Sequence, residues 1–227
     1  MRLAVISCQR YRDAWPPMFA LLKKFWPDNP YRTTLVNDHI PYCWPPILPV
    51  KADFFTSNET SWCQVLADFA SDLDDNVLVL QEDFFLNAPV NQELVEHGLK
   101  ILSRDNIGAV RLYPCPGSEV PSEDPYFGPV PRHTRYRNSL QATIYKPGYL
   151  HAIASRFNTP AEFEVDGSAW ASQHLPAEVW AFKREVKPWP MEYYCSAISR
   201  GLWEPAALEF CRQQGVEVDT SMRGVAS

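Results

Sequence analysis

"VLVLQEDFFL", residues 77–86, decides how the rest of the chain is read. Val77 to Leu80 are branched and apolar without alternation, which predicts a strand buried on both faces of a sheet. The next three residues, Gln81, Glu82 and Asp83, are polar, and the chain then turns apolar again. A buried strand that ends on adjacent carboxylates places them at the rim of a sheet.

Working outward, "LAVISC" (3–8) predicts a first buried strand. "AWPPMFALLKKFWP" (14–27) predicts a helix opened by Pro16 and Pro17 and stopped by Pro27. "RTTLVND" (32–38) predicts a second strand ending on Asn37 and Asp38, so the chain begins βαβ and implies a parallel sheet. A helix over 61–73 with Ser61 as N-cap leads into the opening strand, and a helix over 88–106 leads into a strand over 107–114. Residues 114–139, rich in Pro, Gly and charge, predict a long ordered loop. Beyond it, 140–146 predicts a strand, 147–157 a helix, and 161–174 the start of another. The stretch 178–186 fits strand or helix, and 205–215 predicts a helix closed by Gly215. The expectation is one α/β domain over 1–227, a central mostly parallel (mixed) sheet flanked by helices. The expected division is a nucleotide-binding-type layout over 1–114 and a second half over 115–227.

The 227 residues are 46% apolar, enough for a sizeable core, and carry 21 Pro against 9 Gly. A net charge of -6 argues against a dominant nucleic-acid surface. Cys8, Cys43, Cys63, Cys115, Cys195 and Cys211 show neither CxxC pairing nor zinc spacing, and read as reduced, mostly buried thiols. No apolar run is long enough for a signal peptide or a membrane span, so a cytoplasmic protein is expected.

Ligands of open α/β sheets bind outside the carboxyl ends of the strands, where both Asn37–Asp38 and Glu82–Asp83 fall. Adjacent buried carboxylates are costly without a cation, and their oxygens suit Mg²⁺ or Mn²⁺. Alternatively Glu82 caps a turn and Asp83 is solvated. "EFEVD" supplies a second acidic group, Glu162, Glu164 and Asp166. If extended, it sets Glu162 and Glu164 on one face; if helical, it is an acidic first turn favoured by the helix dipole. Arg10 or Arg12 either pairs with a phosphate or is solvated. "PRHTRYRNS" holds Arg132, His133, Arg135 and Arg137, a basic loop or a solvated turn.

The stretches "ISCQRYRDAWPPMFALLKKFWPDNPY", "VLVLQEDFFLNAPVN", "SLQATIYKPGYL", "PAEFEVDGS" and "AISRGLWEPAALEFCRQQGVEVD" occur in this order and cover most of the chain. Together they resemble a family of glycosyltransferases with the nucleotide-sugar-binding GT-A fold, found in bacterial polysaccharide gene clusters and in phages. The resemblance implies a nucleotide-sugar donor, a hydroxyl acceptor such as a glycan, and an acidic strand end that binds Mn²⁺ or Mg²⁺ on the donor diphosphate. It assigns the metal to Asp83 and the donor to Ser7, Arg10, Asn37, Asp38 and Glu82. Glu164 becomes the base, with Asp166 behind it, and Glu162, Trp170 and Arg135 contact the acceptor. Gln81 departs from the pattern, because an acid often stands there, and this puts metal dependence in question. Competing readings are a metal-dependent phosphoester hydrolase, a non-catalytic carbohydrate-binding or scaffold protein, and a phage-type transferase acting on DNA.

Overall fold

The computed structural model describes residues 1–38 and 52–227; Cys43 lies outside them. The chain runs β1 (Arg2–Ile6), a 3-10 turn (Gln9–Ala14), α1 (Trp15–Phe25), β2 (Arg32–Asn37), β3 (Ala52–Thr56) and α2 (Trp62–Ser71). It continues through β4 (Val77–Gln81), β5 (Phe85–Leu86), α3 (Gln92–Leu102), β6 (Ile107–Arg111), β7 (Phe127–Pro129) and β8 (Thr143–Tyr145). Then come α4 (Pro147–Ala154), α5 (Pro160–His174), β9 (Glu178–Phe182), β10 (Tyr193–Tyr194), β11 (Ile198–Ser199), β12 (Leu202–Trp203) and α6 (Pro205–Gln214).

One 8-stranded sheet has the order β3-β2-β1-β4-β8-β6-β9-β7. Strands β3, β2, β1 and β4 pair in parallel. Strand β8 is antiparallel to both β4 and β6, β9 is parallel to β6, and β7 runs antiparallel to β9. The sheet is therefore mixed and mostly parallel, with strands drawn from both sides of residue 114.

Alternating side chains divide each central strand between two cores. Leu3, Val5, Leu78 and Leu80 pack with Met18 and Leu22 of α1, Leu102 of α3 and Cys211 of α6. Ala4, Ile6, Val77 and Val79 face the opposite way, toward Leu66 of α2, Leu150 of α4 and Phe163 of α5. Every residue of β4 is buried because it pairs on both edges and is covered on both faces. Past Gln81 a turn closed by Phe84 N–H donating to Gln81 O (3.3 Å) carries Glu82, which stays buried, and Asp83, which is half-buried.

Several boundaries differ from the sequence reading. Helix α3 begins at Gln92 because the Asn91 side chain accepts from Leu94 N–H and caps it. The ambiguous 178–186 stretch supplies strand β9, with burial set by its place between β6 and β7. The loop over 114–139 contains β7, and β3, at the sheet edge, had no periodic signal. Ser61 caps α2 as expected, and Gly215 takes the left-handed φ of 72° that ends α6.

Residues 162–166 are helical, as the reading of 161–174 as a helix start expects, and the extended alternative falls. Thr159 Oγ1 accepts from Glu162 N–H while the Glu162 carboxylate accepts from Thr159 N–H, a reciprocal cap at the start of α5. Thr159→Ala should lower stability by about 1 kcal/mol. A thermal melt followed by circular dichroism would show it as a Tm drop of a few degrees; an unchanged Tm would mean the cap contributes nothing.

Candidate functional site

From β1 the chain moves outward to β2 and β3 and then returns to the other side of β1 as β4. The carboxyl ends of β1 and β4 thus flank the point where the strand order reverses, where open α/β sheets leave a crevice. Ile6 and Gln81 are partners in register, so Ser7–Gln9 and Glu82–Asp83 emerge side by side. Asp38, just past β2, accepts from Gln9 N–H at 2.9 Å and clasps the segment that follows β1.

Glu82 is buried, and burial raises its carboxyl well above the usual range. The neighbouring Asp83 charge pushes it further, and Arg223 opposes the shift. Asp83 is half-buried and is raised to about 6 by burial, against hydrogen bonds from Ser196 and the Ile198 backbone. Its own carbonyl accepts from Ala197 N–H at 2.9 Å, so the 195–198 segment is fastened to the carboxylate turn. Cys8 is pushed up to about 11 by burial and then by Glu82, which leaves an inert thiol beside the acids.

The acids offer hard oxygens of the kind Mg²⁺ and Mn²⁺ take, and such ions commonly sit on one or two carboxylates plus substrate phosphates. Among the described residues no third His, Cys, Asp or Glu joins them. The donor set therefore fits an ion shared with a ligand and does not fit an all-protein metal cage. The Gln81 amide nitrogen is buried at the same rim without a hydrogen-bond partner.

The remaining predicted residues divide sharply. Ser7 is buried and accepts from the Trp15 indole at 2.7 Å, and Asn37 is buried at the end of β2. Arg10 stands exposed at the rim. Glu164 Oε1 accepts from Leu140 N–H at 2.8 Å and from the Ser139 hydroxyl at 3.2 Å, which holds Glu164 to the segment entering β8. Burial raises the Cys195 thiol above its usual range, and the charges of Asp83 and Glu164 push it further.

Glu162 is spent on the α5 cap, and Asp166 sits on the exposed side of that helix. Trp170 stacks on His174 at 4.9 Å with the Arg156 guanidinium 4.1 Å from its centroid, so its ring has partners already. The basic loop is not one patch. Arg132 donates to the Ser172, Leu175 and Pro176 carbonyls, and Arg137 is buried and donates to Ala177 O. Arg135 stays exposed, packed over Tyr136. Of the five described cysteines, Cys63 and Cys211 are buried, Cys8 is half-buried, and Cys115 and Cys195 are exposed; all five are free thiols.

Residues with no sequence signal complete the rim. Gln141 accepts from the Tyr193 hydroxyl at 2.8 Å and donates to Cys195 Sγ at 3.5 Å. Arg223 forms a fork onto Asp13, Nε to Oδ2 at 2.6 Å and Nη2 to Oδ1 at 2.7 Å, 210 residues away in sequence. No motif marks either one; both are placed by the fold.

The raised Asp83 has a signed consequence. Its folded value lies above the unfolded one, so its ionisation opposes folding. That cost is absent below about pH 4, grows as pH rises toward 6, and is complete above it. Asp83→Asn should stabilise the ligand-free protein at pH 8 by at most about 3 kcal/mol, less where water screens the exposed edge, and by little at pH 4. Urea titrations at both pH values check this; a gain independent of pH would contradict it.

No family model matches the chain, and no curated protein matches it. Solved structures do. S. aureus TarS 1-349 superposes with a TM-score of 0.51 at 13% identity, over 94% of this chain and 64% of that one. An active-site mutant of LgtC gives 0.53 at 9% identity, over 95% of both chains. CMP:2-keto-3-deoxy-manno-octonic acid synthetase, solved with CTP, gives 0.52 at 12% identity over 94% of this chain and 97% of that one. The chain thus spans just under two thirds of TarS 1-349 and nearly all of the other two. At these identities the likeness is one of fold: the mixed α/β architecture shared by GT-A glycosyltransferases and nucleotidyltransferases.

Proposed function

We propose that this protein is a glycosyltransferase that moves a sugar from a nucleotide-sugar donor to a hydroxyl acceptor. The observation that carries the reading is the Glu82–Asp83 pair at the β4 end, beside the β1 end where the strand order reverses. The fold neighbours add support, since TarS has also been solved with UDP and the synthetase with CTP.

In this reading residues 1–114 take the donor and 115–227 the acceptor. Arg10, Asn37 and Asp38 line the donor side, with Ser7 holding the β1 end in place and Glu82 against ribose or sugar. Asp83 would hold Mn²⁺ or Mg²⁺, whose charge offsets the one developing on the departing diphosphate. Glu164 takes the proton from the acceptor hydroxyl. Its two observed hydrogen bonds both use Oε1, which leaves the second oxygen for that task. Asp166 supports from behind, and Glu162 and Trp170 pass from acceptor contact to holding α5. Arg135 remains an acceptor contact for an anionic glycan; with Arg132 and Arg137 committed elsewhere, a DNA acceptor is disfavoured. Polysaccharide or phage-surface glycans in the cytoplasm are the setting that the family resemblance suggests.

A second reading is nucleotidyl transfer, favoured by the near-complete coverage of the CTP-bound synthetase. It would use the same strand ends and release pyrophosphate from a nucleoside triphosphate.

A thermal-shift screen against UDP-, GDP-, CMP- and dTDP-sugars and CTP, with and without Mn²⁺, separates the two. The expected result is stabilisation by one nucleotide-sugar class, strengthened by Mn²⁺ and lost in Asp83→Asn. Glu164→Gln should keep that stabilisation while transfer falls about 10²- to 10⁴-fold. Pyrophosphate release from CTP would favour the second reading, and no response to any nucleotide would remove both.

A further inference from the structure

The segment after α6 lies along β12, where Trp203 N–H donates to Gly224 O at 3.0 Å and Ala226 N–H donates to Trp203 O at 2.9 Å. Strands β11 and β12 pair Ser199 with Leu202, so Arg200 and Gly201 make a two-residue hairpin loop. Both take left-handed φ values, 51° and 80°. Such a loop matches the twist of its strands, and asparagine, aspartate or glycine fills its first position most easily. An exposed arginine stands there instead.

Leu202 and Met222 are each 40% exposed, and Val225 is 45% exposed. They are three of the six large apolar side chains that stand exposed among the described residues; the others, Phe54, Tyr126 and Val165, lie in three separate parts of the chain. The three belong to one surface, made by the hairpin and the segment beside it. A Cβ at Gly224 would stand 3.6 Å from Leu202 Cδ2, and Met222 and Gly201 line an open concavity with Arg10 and Arg12. Arg10, Arg12 and Arg200 are exposed, and among the described residues none of them has a carboxylate partner. Arg223 differs, because Asp13 balances it. Of the acids in the same segment, Asp219 is turned onto Ser221 N–H at 2.8 Å and Glu217 lines a different hollow beside α6.

We propose that the β11–β12 hairpin and the segment beside it dock on the surface of an anionic lipid bilayer. Leu202, Met222 and Val225 enter the headgroup boundary, and Arg200, Arg10 and Arg12 meet the lipid phosphates around them. Three apolar side chains on a thin hairpin are too few for a stable protein interface, which takes about 800 Å² from each partner. A nucleic acid would use the cations and leave the apolar side chains in water. A bilayer uses both and asks for no complementary shape. The chain as a whole carries a net charge of -6, so an anionic surface repels the rest of the molecule and selects this face. The docking goes beyond the transferase reading and does not depend on it.

Co-sedimentation with phosphatidylcholine vesicles, plain or with about a third of the lipid as phosphatidylglycerol, tests this without any activity assay. Wild type should bind the anionic vesicles, leave the plain ones in solution, and be released as salt rises from about 0.1 M to about 1 M. Arg200→Asn, which suits the left-handed loop and should not lower Tm, should weaken binding about fivefold. Leu202→Ser/Met222→Ser should weaken it about tenfold, with Tm again unchanged because both side chains are exposed. No binding of wild type to anionic vesicles, or equal binding to plain ones, would overturn the proposal. So would a Leu202→Ser/Met222→Ser variant that binds vesicles and soluble heparin as wild type does, since charge alone would then account for the attraction.

Discussion

Two carboxylates held partly out of water at the end of β4 set the terms for everything around them. Burying them costs free energy unless a cation or hydrogen-bond donors approach, and each neighbouring segment answers that cost in part. Ser196 and the Ile198 backbone serve Asp83, and Arg223 lowers the penalty on Glu82. Both acids remain raised, so the ligand-free rim is under-compensated for negative charge. Under-compensation of this kind is a common mark of functional sites, because a ligand or ion can then supply what the fold withholds.

How much of this could be read in advance follows from how local each cause is. The uninterrupted apolar run of β4 requires two covered faces, and Asn37–Asp38 and Glu82–Asp83 lie at strand ends because the strands end there. Ser61 and Gly215 carry their roles in their own chemistry. The role of 162–166 depended on whether the chain was extended or helical, and Thr159, three residues before Glu162, settles it as a capped helix. That cap, a visible threonine–glutamate spacing, was the overlooked signal. Gln141, Cys195 and Arg223 carry no such signal, since β8 pairing and the β12 docking place them through contacts distant in sequence.

The basic loop shows why residue type alone misleads. Arg132 and Arg137 look like anion-binding residues, yet their guanidinium groups satisfy carbonyls from Ser172 to Ala177 that would otherwise lack donors. Arginine there does the work of backbone closure between α5 and β9. Arg223 instead reaches a carboxylate far away in sequence, Asp13, and ties the segment after α6 to the turn that follows β1.

That joining has a kinetic side. The Asp13–Arg223 pair spans 210 residues, so it can form only after that whole stretch has been synthesised. At 5–20 residues per second, roughly 10 to 40 s separate the emergence of its two halves from the ribosome. During that interval the β1–β4 core can pair while Asp13 waits without its counter-ion. Strand β9, the last of the 8-stranded sheet in chain order, ends at Phe182, so the nascent chain carries every strand of that sheet before it carries Arg223.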